Sequence, residues 1–113
     1  MANLRRRVHR RELWMQLARR CSYRAPELAR SCEMNLRRLQ RHFQEDFGRS
    51  PQEWLNEQRM IAARYLILED RSVKAISLEL GFKQTSHFCR EFKRCYGFTP
   101  TGFADRMQKN LTP

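Results

Sequence analysis

SPQEWLNEQRMIAARYLILE, residues 50–69, is the segment from which the rest of this 113-residue sequence can be laid out. Ser50 fits a helix N-cap, and Pro51 fits the first helical position, where its missing N–H costs nothing. Glu53, three residues after the cap, completes a capping box. A long helix is expected to start here. Its apolar residues do not keep to one stripe: Trp54, Ile61, Tyr65 and Leu68 mark one face, Leu55, Ala62 and Leu66 the next, and Met60, Ala63 and Ile67 another. A surface helix buries a single stripe. The segment therefore reads either as a spine with protein packed on more than one side or as the core helix of one bundle.

The flanking sequence separates these alternatives, because it is one pattern written twice. Before the helix come Leu28-Ala29, Leu39, Phe43, Phe47-Gly48 and Pro51; after it come Ile76-Ser77, Phe88, Phe92, Tyr96-Gly97 and Pro100. From Leu39 onward the copies register at an offset of 49 residues, and upstream the offset falls to 48. The second copy therefore carries one extra residue in its turn. An internal repeat of this kind outranks any single-bundle reading, and the spine is expected to join two similar modules.

Composition limits the function. Lys and Arg total 23 against 12 Asp and Glu, a net charge of +11, with 41% apolar residues to build a core. A small folded chain this basic meets a polyanion such as DNA, RNA or an anionic membrane surface. Residues 1–20 carry seven Arg against one Glu, whereas the spine is mildly acidic, so the excess lies on the flanks. The four cysteines, Cys21, Cys32, Cys89 and Cys95, form no C-x-x-C pair and no zinc spacing with His. They are read as reduced thiols of a cytoplasmic protein, with Cys32 and Cys95 near apolar helical positions. No metal and no cofactor are expected. No apolar run approaches a membrane span of roughly 18 residues, and the Arg-rich start lacks a signal peptide's apolar core.

Periodicity and caps give the remaining helices. Residues 4–20 read as amphipathic through Leu13, Trp14, Leu17, Ala18 and Cys21, with residues 4–11 either an ordered turn or a loose arm. Pro26 opens a short helix through Leu28, Ala29 and Cys32, and Glu33-Met34 makes a tight turn. Asn35 caps a helix that runs to Phe47 and stops at Gly48. Ser72 caps a short helix through Ile76 and Leu80, Gly81-Phe82 turns, and a longer helix runs from Thr85 to Tyr96. Thr99-Pro100 opens the last helix. Each module is short helix, tight turn, longer helix, the outline of a helix-turn-helix whose second helix can enter a DNA major groove.

The faces of the longer helices carry the candidate chemistry. On the first, Leu39, Phe43 and Phe47 form the buried stripe, and Arg37, Gln40, Arg41 and Gln44 share the other side at i, i+3, i+4 and i+7. Arg suits guanine and Gln suits adenine for bidentate pairing. Arg30, Arg38 and Arg49 lie off that face, as phosphate contacts that position without reading. On the second, Phe88, Phe92 and Tyr96 point inward, leaving Thr85, Ser86, Cys89, Arg90 and Lys93 outward. Only Arg90 and Lys93 there are strong anion partners, Lys93 as a phosphate contact, so the second module is expected to read sequence less sharply. His87 is expected to be partly buried against a neighbouring helix. His9 and His42 have no carboxylate or cysteine at catalytic spacing, and nothing assembles an enzyme.

The run Ile76-Ser77-x-x-x-Gly81-Phe82-x-x-x-x-x-Phe88-x-Arg90-x-Phe92-Lys93-x-x-x-Gly97-x-Thr99-Pro100 resembles the signature of the AraC/XylS family of bacterial transcription regulators. Leu28-Ala29 through Met34-Asn35, Leu39-Gln40-Arg41, Phe43, Gly48 and Ser50-Pro51 resemble that family's first helix-turn-helix, and the likeness covers about residues 8–107. The resemblance implies an all-α, seven-helix DNA-binding domain with two helix-turn-helix lobes joined by a long linker helix. The corresponding boundaries are 1–49 for the basic segment and first lobe, 50–70 for the linker helix and 71–113 for the second lobe. By position it puts base reading on Arg37, Gln40 and Arg41, then on Thr85, Ser86, Cys89 and Arg90, the faces that spacing had already picked out. Two residues depart from the family pattern. Gln84 stands where a capping Ser or Asp is usual, which leaves the second recognition helix to fray or to be capped by Thr85. Ser77 replaces Ala and is expected to be tolerated.

The expected function is a sequence-specific activator, either a single-domain regulator or the DNA-binding part of a longer one, that binds double-stranded DNA as a monomer, with RNA polymerase as a candidate second partner and no membrane. A helix of about 20 residues spans roughly 30 Å, near the ~34 Å between successive major-groove faces, and fitting both grooves would favour bent DNA. The competing readings are a sequence-indifferent nucleic-acid coater and a protein-interaction bundle.

Overall fold

The computed structural model describes residues 12–111, and these form seven helices with no strand among the described residues. The helices are α1 (residues 12–20), α2 (Ala25–Ser31), α3 (Leu36–Phe47), α4 (Pro51–Leu68), α5 (Val73–Glu79), α6 (Thr85–Tyr96) and α7 (Pro100–Leu111). The all-α class is as expected, whereas residues 4–11, with His9, lie outside the described residues.

The caps that the sequence announces are formed. Asn35 Oδ1 accepts from the Arg38 N–H at 2.8 Å and Ser72 Oγ from the Ala75 N–H at 3.0 Å. Ser50 and Glu53 make the reciprocal box: Ser50 Oγ accepts from the Glu53 N–H at 3.2 Å, and Glu53 Oε2 from the Ser50 N–H at 3.4 Å. Thr99 Oγ1 accepts from the Gly102 N–H at 3.1 Å to open α7. Gly48 and Gly97 end α3 and α6 in the left-handed region, at φ 69° and 81°, where a Cβ is penalised. α2 starts one residue before Pro26, and its cap residue Arg24 offers no side-chain bond. Gln52 of α4 takes over, accepting from the Ala25 N–H and donating to the Tyr23 carbonyl, both at 3.0 Å.

The chain divides into two compact units between Gln58 and Arg59, inside α4. In the first, α2 packs on α3. Its core holds Ala18, Leu28, Ala29, Leu39, Phe43, Trp54 and Leu55. Phe43 is its hub, edge-on to Trp14 at 5.0 Å, to Phe47 at 4.9 Å and to Trp54 at 5.4 Å. Phe47 is only half-buried, stacked on Trp54.

In the second, α5 packs on α6 and α6 on α7, around Ile76, Leu80, Phe82, Phe88, Phe92 and Phe103. Phe92 is the hub, with Phe88 at 5.9 Å, Tyr96 at 4.9 Å and Phe103 at 5.4 Å. Adding 49 to Phe43, Phe47 and Trp54 gives Phe92, Tyr96 and Phe103, so the aromatic clusters are copies.

The turns repeat as well. In the first unit the Met34 N–H reaches the Ala29 carbonyl at 2.9 Å and the Glu33 N–H the Arg30 carbonyl at 3.1 Å. In the second, Phe82 reaches Ser77 at 3.0 Å and Gly81 reaches Leu78 at 3.1 Å. Both pairs are Schellman closures, and the left-handed residue is Glu33 at φ 56° in one and Gly81 at φ 84° in the other. The next helix is capped immediately at Asn35 after Met34, but at Gln84 only after Phe82 and Lys83. Lys83 is the extra residue behind the change of offset.

α4 departs from the faces read in sequence. Pro51, Trp54 and Leu55 are buried in its first half and Met60, Ala63 and Ile67 in its second, while Ile61, Tyr65 and Leu68, expected to continue the Trp54 face, are exposed. The helix belongs to both units, and each buries only its own segment, so a stripe drawn along the full length has no single core to face.

Candidate nucleic-acid interface

α3 and α6 owe their orientation to their apolar stripes. Leu39 and Phe43 in one and Phe88 and Phe92 in the other are fully buried, and residues a half-turn away must then face solvent. Arg37, Gln40, Arg41 and Gln44 are all exposed, as are Ser86, Arg90 and Lys93, whereas Thr85 and Cys89 are half-buried. Of the exposed acids, Asp46 lies on the opposite side of the helix from Arg37, whereas Glu45, one turn after Arg41, closes the Arg37–Arg41 row.

Register sharpens the comparison. The offset of 49 matches Arg37 with Ser86, Gln40 with Cys89, Arg41 with Arg90 and Gln44 with Lys93. The first helix presents two arginines and two amides where the second presents a hydroxyl, a thiol and two cations. Arg and Gln make two-pronged contacts to base edges; a thiol hydrogen-bonds poorly and a lysine acts as a point charge. The positions align by register but differ in exposure, since Cys89 is half-buried where Gln40 is exposed.

Ion pairing divides the cations into two groups. Arg37, Arg38, Arg41, Arg90 and Lys93 make no ion pair among the described residues, so their charge is available to an outside anion. Arg30 instead lies 3.6 Å from Glu27, and Arg49 is paired with Glu57 of α4. Sequence spacing could not show the latter pair, which bridges a loop and a helix. Arg94 sits 2.9 Å from Glu91, and this hydrogen-bonded guanidinium holds the Glu91 carboxyl below its usual range. Arg71 is shared between Glu69 and Glu79.

Several side chains differ from their expected places. His87 is exposed, its ring edge-on to Phe82 at 5.3 Å, because its position lies just off the Phe88 stripe. Cys95 is exposed in the last turn of α6, where Tyr96 supplies the core contact, and the buried thiol is Cys21, 3.3 Å from Ser31 Oγ. All four cysteines are free, and burial, with the nearby Cys21 second, pushes the Cys32 thiol up. The cap of α6 falls on Gln84 and not on Thr85, and no side chain closes it. Ser77 is buried with its hydroxyl unbonded. Lys83, which sequence reading left without a role, is exposed directly before α6.

A family model described as a helix-turn-helix domain matches residues 28–106. The chain is 31% identical over 97 residues to the HTH-type transcriptional regulator ExsA of Pseudomonas aeruginosa, covering 85% of this chain and 35% of ExsA. It is 37% identical over 68 residues to the HTH-type transcriptional activator RhaS of Escherichia fergusonii, covering 59% of this chain and 24% of RhaS. The chain thus spans about a third or less of the curated relatives it matches. The fold is similar to a crystal structure of a transcriptional regulator from Chromobacterium violaceum with an AraC-type DNA-binding domain. The TM-score is 0.63 at 25% identity, covering 74% of this chain and 75% of that one. No helix of the described residues is long and apolar enough to cross a membrane. With the turn and longer helix of both helix-turn-helices inside the matched span, the chain belongs to the AraC/XylS family of helix-turn-helix DNA-binding domains.

Proposed function

We propose that this chain is a sequence-specific, double-stranded DNA-binding transcription regulator, an activator that sets α3 and α6 into adjacent major grooves. The observation that carries the reading is the pair of exposed faces on α3 and α6 whose arginines make no ion pair among the described residues, while Arg30, Arg49 and Arg94 each have a solvent-accessible carboxylate partner that a phosphate can replace. Arg37, Gln40 and Arg41 read bases in one block of the site, and Thr85, Ser86, Cys89 and Arg90 contact the other. Arg30, Arg38, Arg49 and Lys93 hold phosphates, Arg49 by exchanging Glu57 for the DNA backbone. Relatives named as activators, RhaS among them, support the sign of regulation. The protein acts in the cytoplasm as a monomer, and RNA polymerase is the partner through which activation would pass.

Selection from a random duplex library at about 0.15 M salt tests this reading, with two enriched blocks about one helical turn apart as the expected result. On the selected site Arg41→Ala is expected to cost about 1 to 3 kcal/mol and on unrelated DNA far less. Arg38→Ala, a phosphate contact, should weaken all duplexes alike and flatten the salt dependence by about one charge. Tight binding with no enriched sequence would replace the proposal with a charge-driven coater.

A further inference from the structure

We propose that Leu36 is a specificity residue that recognises the 5-methyl group of a thymine, an inference that rests on α3 being a recognition helix. Leu36 is the first residue of α3 and remains 39% exposed although it is a large apolar side chain. Its backbone is set at the start of the helix, because Asn35 caps the same turn through the Arg38 N–H at 2.8 Å. It is four residues from Gln40, and residues four apart stack on one helix face. Leu36, Gln40 and Gln44 thus make one row along the recognition helix beside the row of Arg37 and Arg41.

The internal repeat supplies an independent argument. Adding 49 to the two rows gives Thr85, Cys89 and Lys93 beside Ser86 and Arg90. Thr85 opens α6 as Leu36 opens α3, and its position is within the expected base-reading set of the second unit. Both residues present methyl groups at the leading end of a helix, where recognition helices meet base edges. Among the base edges of the major groove thymine alone presents a methyl group, and apolar side chains are its ordinary partners. The core does not need the exposed part of Leu36: Leu39 and Phe43 complete the stripe at full burial without it.

The test uses the whole chain and the duplex that selection returns, with each thymidine replaced in turn by deoxyuridine, which pairs identically but lacks the methyl group. The expected result is one position in the α3 block where uracil weakens binding about fourfold, the worth of one buried methyl-sized group. At that position Leu36→Ala should bind thymine and uracil equally, while Leu36→Met retains the preference. Thermal melting of both variants guards against a folding defect. Uracil without effect throughout the α3 block, or a thymine preference unchanged in Leu36→Ala, overturns the proposal while leaving the recognition helices in place. A library that yields no enriched sequence overturns the recognition reading, and this proposal with it.

Discussion

Ser77→Ala should stabilise the second unit, and the size of the gain can be worked from its surroundings. Ser77 is 1% exposed on α5 and its Oγ has no hydrogen-bond partner. A buried polar group without a partner costs about 1 to 3 kcal/mol, and Ala gains a few tenths more than Ser in a helix interior, of order 0.5 kcal/mol. Against this stands the loss of one oxygen's packing contacts, about 0.5 to 1 kcal/mol when a contact of ~0.1–0.2 kcal/mol per atom pair is summed over several neighbours. The net expectation is a gain of about 0.5 to 3 kcal/mol. The first unit contains the control, since its register partner Ala29 occupies the same place, 4% exposed, without the hydroxyl. Ala29→Ser should therefore lose a similar amount. Urea unfolding followed by circular dichroism reads both, and in a domain of this size each kcal/mol moves the melting temperature by about 4 to 8 °C. A Ser77→Ala chain no more stable than its parent would show that the hydroxyl is satisfied in solution, and the argument would fail.

Three further outcomes follow from the same structure. Phe43→Ala and Phe92→Ala, at the two aromatic hubs, should each cost about 3 to 5 kcal/mol; unchanged melting of either would mean that its cluster does not hold the unit together. Glu33→Gly should raise stability by about 0.5 to 1 kcal/mol, because Glu33 sits at φ 56° where its register partner is Gly81; a fall in the urea midpoint would refute that account of the turn. Tyr96, whose hydroxyl donates to the Met60 carbonyl at 2.8 Å, has its phenol pushed up, chiefly by burial. A raised folded pKa means that the stabilisation is whole below the unfolded value near pH 10 and is lost as pH climbs through the folded one. Stability should thus drop more steeply above pH 10 in the parent than in Tyr96→Phe, and parallel pH curves would exclude the effect.

Much of the architecture was legible because its signals are local. A cap needs one side chain within three residues of a free N–H, so Asn35, Ser50 with Glu53, Ser72 and Thr99 announce helix starts without knowledge of the fold. Glycine at a left-handed position announces the stops at Gly48 and Gly97. The repeat then fixed two modules, and the exposed face of α3 followed from its apolar stripe by helical period alone. The all-α class and the family were legible for the same reason, the second module's motif being a nearly unbroken run.

What sequence left undecided depends on where each core ends. Ile61, Tyr65 and Leu68 are apolar at helical spacing, yet α4 passes from one unit into the other and they face neither core. Cys95 lies at a stripe angle but leaves the last core contact of α6 to Tyr96, while Cys21 is buried by the turn after α1. The Arg49–Glu57 pair and the Gln52 bridge to Ala25 join residues brought together only by packing. The cost of Ser77 became visible only when burial removed water from its hydroxyl. By itself the sequence determined the helices, the caps at Asn35, Ser50, Ser72 and Thr99, the helix order and which side of α3 and of α6 is polar, because these rest on spacing within a few residues. Tertiary structure alone decided the pairing of Arg49 with Glu57, which apolar groups stay exposed and which polar group is stranded, because each depends on neighbours beyond a residue's own helical turn.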